Sequence, residues 1–115
     1  MSIKRHKSGP RMSDAVIHNG TIYLAGKVAD DASEDAGGQT RQILATIDRV
    51  LGEVGSDKTK ILSAQIFLAD ITDFKAMNEA WDAWVPQGST PARATTEAKL
   101  AAPKYKVEIM VIAAE

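Results

Sequence analysis

Two charged residues near the end of the chain occupy positions where strands are expected. Arg93 follows Pro91, which cannot lie in the middle of a strand, so we expect Arg93 to lie where a strand opens. Glu108 lies inside a run, 105–113, that is otherwise typical of a buried strand. A fixed cation and an out-of-place carboxylate at strand positions are the groups that a small-acid binding site needs.

The pattern around Glu108 predicts partial burial of its carboxylate. Side chains alternate between the two faces of a strand, so Tyr105, Val107, Ile109, Val111 and Ala113 share one face. Glu108 shares the other face with Met110 and Ile112, which do not resemble a fully solvated surface. Desolvation there would disfavour the charged form and suit the group to acid–base catalysis. The alternative is a charge at the solvent end of the strand, or one paired with a neighbouring lysine.

Arg93 is expected to share a strand face with Thr95, Glu97 and Lys99. Arginine has a rigid fork of donors that suits bidentate recognition of a carboxylate. A surface arginine paired with an acidic neighbour is the alternative. Glu97 is a poor partner, because four strand residues span about 13 Å.

Gly26 is a third position of interest, in the second strand of a predicted hairpin. Glycine inside a strand marks either a bulge or the close approach of another backbone or a ligand, and the sequence leaves both open.

No other cluster in the sequence indicates catalysis or metal binding. His6 and His18 are isolated, and no histidine–carboxylate motif is present. The absence of cysteine excludes thiolate chemistry and disulfides. Gly37-Gly38 lacks the lysine of a phosphate-binding loop. We therefore expect no metal site.

Composition predicts one globular domain, residues 1–115, with 44% hydrophobic and 25% charged residues. The net charge of −1 offers no general attraction to nucleic acids or anionic membranes. The basic segment Lys4–Lys7 is interpreted as a solvated edge. No apolar run approaches the ~20 residues of a membrane span, and no signal-peptide pattern is seen, so we expect a cytoplasmic protein.

The sequence predicts strands alternating with two helices. A hairpin is expected within 14–28 at Asn19-Gly20, after an edge strand near 2–7. The further predicted elements are a loop over 30–38, a helix over 38–54 that stops at Gly55, an interior strand over 61–69, a helix from Phe74 to Val85 capped by Asp70 and Asp73, and strands over 93–100 and 105–113.

This order predicts a mixed sheet with both helices on one face. The opposite face would then be bare unless another subunit covers it. Trp81 and Trp84 are interpreted as residues that pack the second helix on the sheet, rather than as an aromatic ligand cage.

The chain resembles the RidA family, also called YjgF/YER057c/UK114. Gly26, Pro91-x-Arg93 and Val107-Glu108-Ile109 carry the resemblance, which extends over essentially the whole chain. A closer similarity to the YoaB-like subgroup rests on three segments: Ser13–Asn19, Met77–Trp84 and Pro103–Glu108.

The resemblance implies an α+β fold of the chorismate mutase-like (bacillary) type, assembled as a homotrimer around a barrel of sheets with clefts at the subunit interfaces. It implies hydrolysis of reactive enamines and imines to 2-oxo acids and ammonia without a cofactor. The implied partners are a small imino or oxo acid and two further copies of the chain, with no nucleic acid and no membrane.

By position, the resemblance implies that Arg93 binds the substrate carboxylate and Glu108 activates water. The backbone at Gly26 and Thr95 would contact the imine or carbonyl end. Two residues depart from the archetypal pattern: Thr95 replaces a cysteine, and Met12 replaces a tyrosine that reaches the neighbouring cleft. These departures leave open a non-catalytic regulatory trimer that binds 2-oxo acids. A nucleic-acid or RNA-cleaving role has only Lys4–Lys7 in its support.

Overall fold

The computed structural model describes residues 2–115 as a six-stranded mixed sheet with two helices. The elements are β1 (Lys4–Ser8), β2 (Ser13–His18), β3 (Thr21–Leu24), α1 (Ala36–Glu53), β4 (Ile61–Leu68), α2 (Phe74–Trp84), β5 (Ala92–Glu97) and β6 (Val107–Ala114). The strand order is β1-β2-β3-β6-β4-β5. Only β4 and β5 pair in parallel. The predicted α+β class is confirmed.

The β2–β3 hairpin turns at Asn19 and Gly20, as predicted. Both residues have positive φ, 53° and 79°, which the short polar side chain of asparagine and the missing side chain of glycine tolerate. Regular pairing in β3 ends at Leu24, earlier than the expected hairpin, and only Lys27 rejoins the sheet opposite Ile109.

Helix α1 begins at Ala36, two residues before the predicted start, so placing Gly37 and Gly38 in a loop was wrong. The Asp35 side chain accepts a hydrogen bond from the Gly38 amide at 2.9 Å, which caps the helix ahead of the glycine pair. A Cβ atom on Gly38 would lie 2.9 Å from Glu34 Cβ, so this position needs glycine. The predicted stop at Gly55 is confirmed by its φ of +82°.

Helix α2 begins at Phe74, as predicted, but only one of the two proposed capping residues acts through its side chain. Asp70 accepts from the Thr72 amide at 2.9 Å, within a short 3₁₀ turn, Ile71–Asp73. The Asp73 side chain makes no capping hydrogen bond. Its assignment as a side-chain cap is therefore corrected, because the 3₁₀ turn already leads the chain into α2.

Both helices cover the same face of the sheet. Buried strand residues on that face include Ala15, Ile22, Leu24, Ile61, Ala64, Ile66, Leu68, Val107, Ile109, Val111 and Ala113. They pack with the apolar stripes of α1 and α2, including the buried Trp81. The opposite face has no covering element in residues 2–115, and Tyr23 and Met110 there are 47% and 41% exposed. The one-sided arrangement predicted from the sequence is confirmed.

The last two strands are shorter at their connecting ends than expected. β5 ends at Glu97 instead of residue 100, and β6 begins at Val107 instead of residue 105. The Tyr105 amide donates to the Ala102 carbonyl in a turn, so Tyr105 does not join the ladder. Neither helix found in residues 2–115 has the length and apolar character needed to cross a membrane.

Candidate functional site

Gly26 and Glu108 are in direct contact. Lys27 exchanges two backbone hydrogen bonds with Ile109, at 2.8 and 3.0 Å, which holds Gly26 beside Glu108. A Cβ atom on Gly26 would lie 2.5 Å from Glu108 Oε2. The glycine is therefore a point of close approach, as one of the two interpretations held, but the approaching group is the Glu108 carboxylate and not another backbone.

The Glu108 carboxylate is half-buried and has no hydrogen-bond or ion-pair partner among residues 2–115. The nearby cation Lys27 contacts Asp14 instead, at 3.3 Å. Glu108 pairs across the sheet with Phe67 and lies on the uncovered face with Met110, as the alternation predicted. Its oxygens are thus available to a water molecule or a ligand.

Arg93 lies on the covered face of β5, the strand at the edge of the sheet. It pairs with Ala64, whose side chain is in the core, so the Arg93 side chain also starts toward the helices. Its guanidinium carbon lies 5.2 Å from the ring centroid of Trp81. Within residues 2–115, Arg93 forms no ion pair, which leaves its donors available to an anion.

Arg93 and Glu108 lie on opposite faces of the sheet. Their partners on β4, Ala64 and Phe67, are three residues apart, and side chains separated by an odd number of residues point to opposite faces. The strands β5 and β6 are also separated by two strand spacings, about 10 Å. Within one chain, the two groups therefore do not face a common small ligand.

Thr95 lies near Arg93, whereas Met12 lies in a separate part of the molecule. Thr95 follows Arg93 on the same strand face, and its Oγ1 is buried without a hydrogen-bond partner in the described part of the chain. Met12 lies in the turn between β1 and β2 and is 61% exposed. Two residues after Met12, Asp14 in β2 contacts the segment next to Gly26, because the Ala25 amide donates to the Asp14 carbonyl at 3.0 Å.

Cavity size alone does not identify the site. A groove of about 360 Å³ runs between the two helices and is lined by Arg41, Lys58 and Trp84 among others, but it contains neither Arg93 nor Glu108. A smaller depression of about 250 Å³ lies at the β5 edge and includes Arg93. Its volume exceeds that of several water molecules, which occupy ~30 Å³ each in the liquid.

Gln39 is a positioning residue that the sequence reasoning missed. Its side chain is fully buried, with Nε2 donating to the carbonyls of Ala32, Glu34 and Lys104, each at 3.1 Å. Its Oε1 accepts from the Lys106 amide at 2.9 Å, two residues before Glu108. A signal was available, because Gln39 lies one helical turn before Ile43 on the apolar stripe of α1.

The basic segment Lys4–Lys7 is partly neutralised within the chain. His6 Nε2 and Lys7 Nζ lie 2.8 and 3.2 Å from the Glu53 carboxylate. The hydrogen bond with His6, followed by that with Lys7, lowers the pKa of Glu53 from 4.5 to about 2. Among residues 2–115, no group of three or more metal-ligating side chains is assembled.

Comparison with known proteins identifies the family. Residues 3–115 match the family model described as Endoribonuclease L-PSP. The chain belongs to this family. Escherichia coli RutC family protein YoaB is 54% identical over 114 residues, covering 99% of each chain. The structure of a YjgF family member from Neisseria meningitidis is 49% identical, with a TM-score of 0.97 over 100% of this chain and 96% of that one.

These matches confirm the resemblance to the RidA (YjgF/YER057c/UK114) family and its YoaB-like members. More distant relatives in the family have a named activity. The 2-iminobutanoate/2-iminopropanoate deaminase of Capra hircus is 34% identical over 109 residues, covering 90% of this chain and 79% of the relative. The RidA family thus includes imine deaminases.

Proposed function

We propose that this protein is a cofactor-independent deaminase of reactive 2-imino and 2-enamino acids, with release of 2-oxo acids and ammonia. The observation that carries the proposal is the unpaired Glu108 carboxylate packed against Gly26, combined with an Arg93 that no acidic residue in 2–115 neutralises. The Glu108 carboxylate can bind and deprotonate water, and the Arg93 guanidinium can bind a carboxylate. The named activity of the family's deaminases supports the same reaction.

The proposed reaction needs only water and proton transfer. Arg93 binds the substrate carboxylate, and the protonated imine carbon is already electrophilic. Glu108 accepts a proton as the oxygen of water bonds to that carbon, which gives a carbinolamine. Glu108 then returns the proton to nitrogen, the C–N bond breaks with departure of ammonia, and the regenerated Glu108 carboxylate accepts the O–H proton as the C=O bond forms.

Placement of the two groups on opposite faces supports a site shared by two copies of the chain. The edge strand β5 of one copy would bring Arg93 and Thr95 to the uncovered sheet face of another, where Gly26 and Glu108 lie. We propose the homotrimer with three interfacial clefts that the family resemblance implies, in the chorismate mutase-like arrangement. Burial of Tyr23 and Met110 against the neighbouring copy would stabilise it.

The walls of this cleft would set the substrate range. Thr95 would contact the imine or carbonyl end through its backbone, as would Gly26. Met12 would approach the ligand from the exposed β1–β2 turn, supplying an apolar side chain where archetypal members have a hydroxyl. We therefore expect a preference for imines with apolar side chains.

A non-catalytic 2-oxo-acid-binding trimer is the second candidate. Arg93 and Thr95 would serve such a binder equally well, and the missing hydroxyl at Met12 favours binding without efficient turnover. Calorimetry with 2-oxobutanoate distinguishes the two candidates, because a binder gives heat of association but no hydrolysis of imines. We expect no nucleic-acid partner, since Glu53 pairs with two of the basic residues at the N-terminal edge.

The decisive experiment measures imine lifetime. An amino-acid oxidase generates the imine, and semicarbazide traps it as a semicarbazone. The wild-type protein should slow semicarbazone formation, and Arg93→Ala should restore it. Arg41→Ala is the matched control, because Arg41 is an exposed arginine on α1. Unchanged trapping across several amino-acid-derived imines, or an Arg93→Ala protein as active as wild type, would contradict the proposal.

A further inference from the structure

The Trp81 ring contacts the Arg93 guanidinium from the core side. The indole is 5% exposed and belongs to the core, yet the Arg93 guanidinium carbon lies 5.2 Å from its ring centroid. No carboxylate in residues 2–115 forms an ion pair with Arg93. The contact with Trp81 is therefore the attraction that can fix the guanidinium on the free edge of the sheet.

A cation–π contact leaves most hydrogen-bond donors of a guanidinium free. The ring attracts the cation electrostatically and is not a carboxylate-type acceptor, so most of the five N–H groups of arginine stay available. An ion pair with a protein carboxylate would use those donors instead. The tryptophan thus restricts the side chain without occupying the groups that would recognise an incoming carboxylate.

The neighbouring Trp84 provides an internal comparison. The two rings are 5.3 Å apart and tilted by 56°, so they share one packing environment. However, Trp84 donates from Nε1 to Asp48 at 2.9 Å, and its ring lies 5.2 Å from Lys58 Nζ instead of Arg93. Each tryptophan therefore has its own cation, and only one of these cations belongs to the candidate site.

We infer that Trp81 is the positioning residue for Arg93, holding its guanidinium at the β5 edge with the donors presented to the carboxylate of a planar 2-imino or 2-oxo acid. The inference rests on the proposed function for the identity of the ligand. It assigns Trp81 to ligand affinity, whereas proton transfer belongs to Glu108. Loss of the ring should consequently raise KM and leave kcat nearly unchanged.

The contact itself can be measured without a ligand. In a Trp84→Phe protein, Trp81 is the single tryptophan, since the chain contains two. Adding Arg93→Ala should shift its emission, and titration with 2-oxobutanoate should shift it in the Arg93 protein. Unchanged emission on removal of Arg93 would overturn the inference, whatever the enzymatic activity.

The functional test compares Trp81→Leu with Trp81→Phe. Both remove buried volume, but only phenylalanine keeps an aromatic face, so a loss specific to leucine reports the cation–π contact and not packing. From the usual strength of such contacts, Trp81→Leu should weaken 2-oxobutanoate binding about 3- to 30-fold and raise KM similarly. Trp81→Phe should rescue most of the loss, and Trp84→Phe should bind as wild type.

The outcomes separate the two proposals. If Trp81→Leu binds 2-oxobutanoate as wild type while Arg93→Ala does not, the positioning role is wrong and the proposed function stands. An equal loss in Trp81→Phe and Trp81→Leu, matching their loss of thermal stability, also overturns the positioning role. If wild type neither binds 2-oxobutanoate nor hydrolyses imines, both proposals fail.

Discussion

The two charged groups of the candidate site are held in different ways. Glu108 lies in a central strand whose start is fixed by the buried Gln39, and its carboxylate packs against the backbone at Gly26. Arg93 lies on an edge strand, where its guanidinium contacts the Trp81 ring and forms no ion pair within residues 2–115. The Glu108 region is therefore more rigidly built than the Arg93 region. We expect the proposed chemistry to tolerate little change and carboxylate recognition to adapt to several substrates.

The largest expected effect comes from the rigid region. Glu108→Gln keeps the size of the side chain but removes the proton acceptor, so imine hydrolysis should fall by about 10²–10⁴-fold. Binding of 2-oxobutanoate should change little, because Arg93 is untouched. Kinetics in the semicarbazide assay and calorimetry on the same preparation measure the two quantities. A Glu108→Gln protein that hydrolyses imines as fast as wild type would contradict the assignment of proton transfer to Glu108.

Placement on opposite sheet faces leads to a second prediction. Arg93→Ala and Glu108→Gln proteins should each be inactive alone, but a co-refolded mixture of the two should recover activity. If each site takes Arg93 from one copy and Glu108 from another, about one site in four has both groups in an equal random mixture. Activity measured against wild type checks this figure, with each variant refolded alone as the control. No recovery would place both groups in one chain's site.

Much of this arrangement was predictable from local rules. The Asn19-Gly20 turn, the Gly55 stop and the alternation that isolates Glu108 depend on backbone geometry and strand period. The start of α1 was not predicted, since the acidic segment of small residues that ends at Gly37-Gly38 suggested a loop. The Asp35 side chain caps the helix ahead of these glycines, and the close approach of Glu34 explains why position 38 is glycine.

The relation between the site residues was harder to predict. Sequence patterns placed Arg93 and Glu108 on strands, but the strand order that puts them on opposite faces depends on long-range pairing. The contacts of Gly26 with Glu108 and of Trp81 with Arg93 likewise join residues distant in the sequence. Gln39 is the exception, because a polar residue on the apolar stripe of a helix can be recognised locally.

A methyl group at position 26 should disturb the rigid region without breaking the fold. Gly26 lacks a positive φ, so alanine fits its backbone, but the new Cβ would lie 2.5 Å from Glu108 Oε2 and displace the carboxylate. We expect Gly26→Ala to lower kcat about tenfold, since misplacement by about 1 Å can cost up to 100-fold and this side chain can partly adjust.

Gly52→Ala is the matched control for that substitution, because a Cβ there meets nothing within 4 Å and Gly52 lies inside α1. It should leave kcat unchanged and raise thermal stability slightly. A Gly26→Ala protein with wild-type kcat would show that the position of the carboxylate against Gly26 is not needed for activity.

The smallest predicted effect lies outside both regions and should change stability with pH without changing the site. Glu53 joins α1 to the edge strand β1 through His6 and Lys7, and these hydrogen bonds lower its pKa from 4.5 to about 2. A carboxyl group with a lowered folded-state pKa stabilises the fold fully above pH 4.5, and this contribution disappears as the pH falls towards 2.

Glu53→Gln should therefore melt at a slightly lower temperature than wild type at neutral pH, and the difference should vanish near pH 2. The exposed Glu79→Gln is the control, with no expected difference at either pH. The β1 edge is expected to have no effect on ligand binding at Arg93. A Glu53→Gln protein that loses 2-oxobutanoate binding at neutral pH would contradict this expectation.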